Sequence, residues 1–213
     1  MSTLLQRIQP IWPFSERIIL PLLLGTAFLV MWPGCQNSTP AVEEGAAESM
    51  PSYDTEAMAR TMHEQINAER EAQGLVPLSW SDDLATLSRA HSRDMVERDF
   101  FAHTNPDGES PTDRGERLEV SCRSVLEADR ASGIAENIYD AAAYHSRRTT
   151  QQGDTESVTY DWKTDDELSE TVVQGWMDSP GHRRNILDDT YEAQGLGVAV
   201  SDDLRVLVTQ TFC

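Results

Sequence analysis

Hydrophobic residues fall into three different patterns along this chain. The first is a continuous run, IILPLLLGTAFLVMW at 18–32, without a charge and preceded by Arg7 and Arg17. It is short for a bilayer span of about 20 residues and matches the core of a signal peptide. The second is helical. Met58, Met62 and Ile66 recur every four positions after Tyr53, predicting an amphipathic helix that ends near Gly74. Beyond a Pro77-Leu78 link, Ser81 with Asp82 and Asp83 reads as the cap and acidic first turn of a helix carrying Leu84, Leu87, His91 and Met95. Ser110, Pro111 and Asp113 read as cap, first and third positions of a short helix. Thr164 and Glu167 form a capping box before Leu168, Val172, Val173 and Trp176, and Ser179-Pro180 restarts the chain as another short helix. The third pattern alternates: 195–212 is β-branched, turns at 201–203 and predicts a β-hairpin, with AENI at 135–138 as a further strand. Residues 140–166 are polar with little periodicity and read as an exposed insertion. Helices first and strands last indicate an α+β fold.

The organisation that follows is a signal segment over 1–35, a polar linker over 36–52 and a folded domain over 53–213. Gly34-Cys35 at the end of the apolar run resembles a bacterial lipoprotein site, with Cys35 as the lipidated residue. Ordinary cleavage and an uncleaved anchor are the other outcomes, and all three place the domain outside the cytoplasm. Cys122 and Cys213 are then an even pair in an oxidising compartment and read as one disulfide, with two free thiols as the alternative.

Charge narrows the partners. Asp and Glu number 36 against 17 Lys and Arg, a net −19, and Lys163 is the only lysine. Such a surface excludes nucleic acid, which needs a basic face, and leaves the N-terminal anchor as the only membrane contact. It fits a halophilic protein whose self-repulsion salt relieves, or an ordinary acidic exported protein from an arginine-favouring genome.

Four residues carry candidate chemistry: His103 in HTNPDG, Glu136 in AENI, and Asp178 and His182 in WMDSPGH. Two imidazoles with carboxylates are the ligand types of a zinc-like site and equally the types for acid–base work. A histidine beside a helix start is held neutral, the form that binds a metal or accepts a proton. Against this stands the simpler reading that both histidines brace turns. His91, on an apolar stripe, reads as a hydrogen-bonded core histidine. Neither HExxH nor a serine nucleophile elbow is present.

The segments NAER (67–70), the Leu84/His91/Met95 helix, HTNPDGESPTDR (103–114), AENI, WMDSPGHRRNIL (176–187), GLGVAV (195–200) and TQTF (209–212) occur in an order that resembles the CAP superfamily. These are the cysteine-rich secretory, antigen 5 and pathogenesis-related proteins that share the SCP domain, and the likeness is to the prokaryotic branch over about residues 55–213. Ala135 stands where the glutamate motif usually has glycine. The resemblance implies a three-layer α-β-α sandwich and a cavity lined by His103, Glu136, Asp178 and His182. It also implies zinc or another divalent cation on His103 and His182. For function it implies an envelope binding module for a lipid, sterol or other extracellular ligand, or a metal-dependent hydrolase with Glu136 as base. Nothing in the sequence indicates an oligomeric state.

Overall fold

A computed structural model describes residues 49–120 and 133–213. In chain order its elements are α1 (Thr55–Ala72), β1 (Ser79–Trp80), α2 (Asp82–Glu97), α3 (Pro111–Arg117), β2 (Ala135–Ala142), β3 (Tyr144–Gln152), β4 (Thr155–Trp162), α4 (Asp165–Asp178), α5 (Pro180–Ile186), β5 (Ala193–Val200) and β6 (Arg205–Phe212). The helix starts follow their caps. Asp54, Ser81, Ser110 and Thr164 each accept a first-turn N–H, and the last two close full capping boxes with Asp113 and Glu167. Ser179 precedes α5 without a side-chain cap bond, so Pro180 alone sets that start. α1 stops where Gly74 takes φ +76°.

One sheet has the order β1-β5-β6-β2, with β1 parallel to β5 and the other pairs antiparallel. Its two faces are packed differently. One carries the larger core: Met58, Met62 and Ile66 of α1, Leu168, Val172 and Trp176 of α4, and Ile186 of α5, against Leu196, Val208 and Phe212 of the sheet. The other takes α2 at close range and is stitched by hydroxyls. Ser88 donates to the Gly195 carbonyl at 2.9 Å, and Ser92 donates to the Gly197 carbonyl at 2.9 Å while its Oγ lies 2.8 Å from the Thr209 hydroxyl. Helices on both faces of a mixed sheet make a three-layer α-β-α sandwich.

Residues 140–166, read from the sequence as an exposed insertion with little periodicity, mostly form strands. β2 runs into them, and β3 and β4 pair antiparallel from Tyr144↔Trp162 to Gln152↔Thr155, with Gly153 in the turn at φ +63°. The segment is exposed as expected, but it is ordered as strand. Both hairpin faces meet water over most of their length, so no hydrophobic alternation marks them. Cross-strand pairs and the ring contacts of Tyr160 with Tyr144 (5.2 Å) and Trp162 (4.6 Å) hold it instead. The polar linker also gives way earlier than expected, since Met50 packs on the larger core. Among the described residues no helix is long and apolar enough to cross a membrane.

Candidate functional site

The site grows from two consecutive residues of β2, an edge strand of the sheet. Successive strand residues face opposite ways, and here both faces are used. Glu136 turns toward α2 and α3, and Asn137 toward α5.

The Glu136 side chain is 1% exposed. His103 Nδ1 lies 2.9 Å from its Oε1, and the Arg114 guanidinium donates to its Oε2 at 2.5 Å. Burying a carboxylate is costly without a partner, and Arg114, itself buried on α3, is that partner. Arg114 also donates to the carbonyls of His103 at 2.7 Å and Glu109 at 3.0 Å, fixing the loop from which His103 projects. Asn105 stiffens the same loop, its Oδ1 accepting from the amides of Asp107 at 3.1 Å and Glu109 at 2.9 Å. His91 stands behind the carboxylate with Nε2 3.8 Å from Oε1 and 3.0 Å from the Ala102 carbonyl. Burial pushes its pKa down, outweighing the pull of Glu136. His91 is thus the buried, hydrogen-bonded histidine expected, yet it also adjoins the site.

On the other face, Asn137 Nδ2 donates to the His182 carbonyl at 3.2 Å, and its Oδ1 accepts from Asn185 at 2.8 Å. Asn185 also reaches the Glu136 carbonyl at 3.4 Å. These bonds place the first turn of α5, and so His182, at the edge of β2. His182 Nδ1 is buried without a hydrogen-bond partner. Its pKa is lowered, first by burial and then by the charge of His103, so the two imidazoles sit within electrostatic reach of each other.

The structure therefore joins His103 to Glu136 directly and brings His182 close. Asp178 is exposed at the end of α4, where it accepts from Gln174 at 2.9 Å, and no hydrogen bond or ion pair ties it to the other three. His182 is at a helix start as expected. His103 is not, since α3 begins only at Pro111 and the loop is held to it through Arg114. Cys35 and Cys122 lie outside the described residues. Two contributors went unread in the sequence. Arg114 closes the motif HTNPDGESPTDR and Asn137 lies within AENI, but nothing local distinguishes them from solvated polar residues.

Among the described residues no three His, Cys, Asp or Glu side chains converge as metal ligands. What the site offers is a pair of imidazoles. With Nδ1 of His103 turned to a carboxylate, Nε2 is its remaining nitrogen, on a side chain 49% exposed. Carboxylate-oriented histidine of this kind is usual behind bound metal. The donor set fits a divalent cation with most of its coordination left to water or a ligand.

Residues 63–212 match the cysteine-rich secretory protein family, CAP. The chain is 29% identical over 170 residues to the uncharacterized protein YkwD of Bacillus subtilis, covering 79% of this chain and 53% of the relative. To YlbC, an uncharacterized membrane protein of the same organism, it is 28% identical over 146 residues, covering 68% of this chain and 31% of that one. It thus spans about half the length of the first relative and a third of the second. Among solved structures, an extracellular protein with an SCP domain from Bacillus anthracis is similar at a TM-score of 0.52 and 25% identity, over 77% of this chain and 44% of that one. An outer surface protein of Borrelia burgdorferi has a TM-score of 0.53 over 77% of this chain and 97% of its own, and at 15% identity shares the fold.

Proposed function

The chain belongs to the cysteine-rich secretory protein (CAP) family, and from that premise we propose that it works outside the cytoplasm as an envelope binding module whose His103 and His182 take up a divalent cation, zinc first. The apolar run at 18–32 supports export, and so does the likeness to an extracellular and an outer surface protein. Lipidation at Cys35 is the anchoring route the sequence favours.

The observation that carries the cation reading is the 2.9 Å contact between His103 Nδ1 and Glu136. A carboxylate on Nδ1 selects the tautomer that leaves the Nε2 lone pair free. Burial keeps His182 neutral. Two protein ligands are fewer than the three of ordinary catalytic zinc sites, so the bound ion exchanges readily and presents open positions to an extracellular ligand. The hydrolase alternative asks Glu136 to act as base. Both its oxygens are occupied and it is shut from solvent, which suits a group that orients His103 better than one that collects protons.

Zinc titration by calorimetry tests the reading. The wild type is expected to bind and the His103→Ala/His182→Ala double variant to lose binding, while equal uptake by both would remove the model. Peptide or ester cleavage that needs zinc and disappears in Glu136→Gln would favour the hydrolase. Organic extraction of the purified protein, followed by mass spectrometry, reads whether a lipid occupies it.

A further inference from the structure

The larger core encloses three amides with no solvent exposure: Asn137, Gln210 and Gln194. Such groups persist in an apolar layer only when hydrogen-bonded. Here they bond one another in a line across β2, β6 and β5. Asn137 Nδ2 donates to Gln210 Oε1 at 3.0 Å, Gln210 Nε2 to Gln194 Oε1 at 2.7 Å, and Gln194 Nε2 faces Nδ1 of His63 on α1 at 2.8 Å.

The line has a direction, because the main chain fixes each end. At the α5 end Asn137 Nδ2 also donates to the His182 carbonyl. Turning that amide over would set its oxygen against the carbonyl oxygen, so every donor in the line points from Asn137 toward His63. At the α1 end Asn67 is locked by Leu78, accepting from its N–H at 2.8 Å and donating to its carbonyl at 3.0 Å. The Asn67 NH2 group therefore faces His63 Nε2, at 3.3 Å. His63 thus stands between two NH2 groups. A neutral imidazole offers one lone pair, which Gln194 takes at the shorter distance. An imidazolium offers none. It would oblige Gln194 to turn, then Gln210, then Asn137, withdrawing the NH2 group from the His182 carbonyl.

We propose that Gln194, Gln210 and His63 are positioning residues for the first turn of α5, and that the direction of this amide relay makes the His182 turn respond to protonation of His63. The charges near His63 come from Arg60 and Glu64 on its own helix, with Asp82 at the head of α2 pairing Arg60 at 3.4 Å; Trp80 of β1 and Gln194 of β5 face it uncharged. Burial and Arg60 lower its pKa against the opposing pull of Glu64. His63 is therefore neutral at neutral pH and charges only below the usual histidine range.

Nitrogen NMR of the metal-free full chain tests this without reference to zinc. At neutral pH His63 is expected as the Nε2–H tautomer, and the amides of His182 and Arg183 should show an inflection that tracks its titration. His63→Gln keeps an acceptor for Gln194 but cannot titrate, so the inflection should vanish while the neutral-pH spectrum of α5 stays. Gln210→Leu should also abolish it. If that variant fails to fold, His63→Gln decides. The opposite tautomer, or survival in either variant of an inflection that coincides with the wild-type His63 titration, read separately from the titration of the His182 ring itself, overturns the relay. One arm rests on the proposed metal reading: zinc affinity should fall about tenfold in Gln210→Leu, the loss usual when support behind a ligand is removed. A wild type that takes up no zinc ends the metal reading, and the NMR arms still judge the relay.

Discussion

Glu136 is buried against the guanidinium of Arg114, and the pair can be taken apart by mutation. Arg114→Ala leaves the carboxylate with His103 alone and should cost about 3–5 kcal/mol, the usual penalty for a buried charge that loses its partner. Urea unfolding measures it, and a loss under about 1 kcal/mol would show that His103 suffices. A second expectation concerns pH. His63, His91 and His182 all have pKa values lowered chiefly by burial. Between those values and the unfolded value of about 6.5, the unfolded chain binds more protons than the folded one, so stability rises with pH. Their contribution is complete above about 6.5 and is lost as the pH falls through the lowered values. The urea midpoint should accordingly drop from about pH 7 to about pH 5, and a flat profile would contradict the assignment. His103, Glu136 and His182 were readable because histidines and a glutamate in turn-rich motifs announce chemistry by type. Arg114 and Asn137 were not, because their roles depend on partners 22 and 45 positions away in the chain.

Among the elements, α2 and β5 depend most on a missing side chain. A Cβ at Gly197 would lie 2.1 Å from the Arg89 nitrogen, and one at Gly195 would lie 2.1 Å from the Ala85 nitrogen. Both obstacles are helix backbone, which cannot swing aside. Gly197→Ala should therefore cost about 3 kcal/mol or more, the upper range of overpacking. Gly153→Ala, in an open turn at φ +63°, should cost only about 1–2 kcal/mol, for its left-handed backbone. Thermal unfolding of the two variants compares them, and equal losses would mean that α2 yields. The glycines of GLGVAV look ordinary in a strand until the facing helix is known. Helix caps, by contrast, are written within four residues, which is why the starts of α2, α3 and α4 were legible and the β3–β4 hairpin, marked by no alternation, was not.

At the scale of the whole molecule the unresolved quantity is charge. Against the net −19, several surface arginines are already paired: Arg98 lies between Asp94 (2.5 Å) and Asp107 (2.7 Å), and Arg205 reaches Asp140 at 2.7 Å. Salt acts on this arrangement in two directions. It weakens such exposed pairs, worth about 0–1 kcal/mol each, and it relieves the repulsion among surplus carboxylates. With more than two acidic groups for every basic one, relief should win, and the unfolding midpoint should rise as salt is added. How far it rises separates the two origins proposed for the acidity. Screening of an ordinary acidic protein is nearly spent at a few tenths molar, where the Debye length is already about 5 Å. A halophilic protein goes on gaining stability into the molar range. We expect the second course, with the midpoint still climbing between about 0.5 and 2 M potassium chloride, well beyond the range that screening covers. A plateau near about 0.3 M would assign the charge to an ordinary exported protein and withdraw the saline habitat.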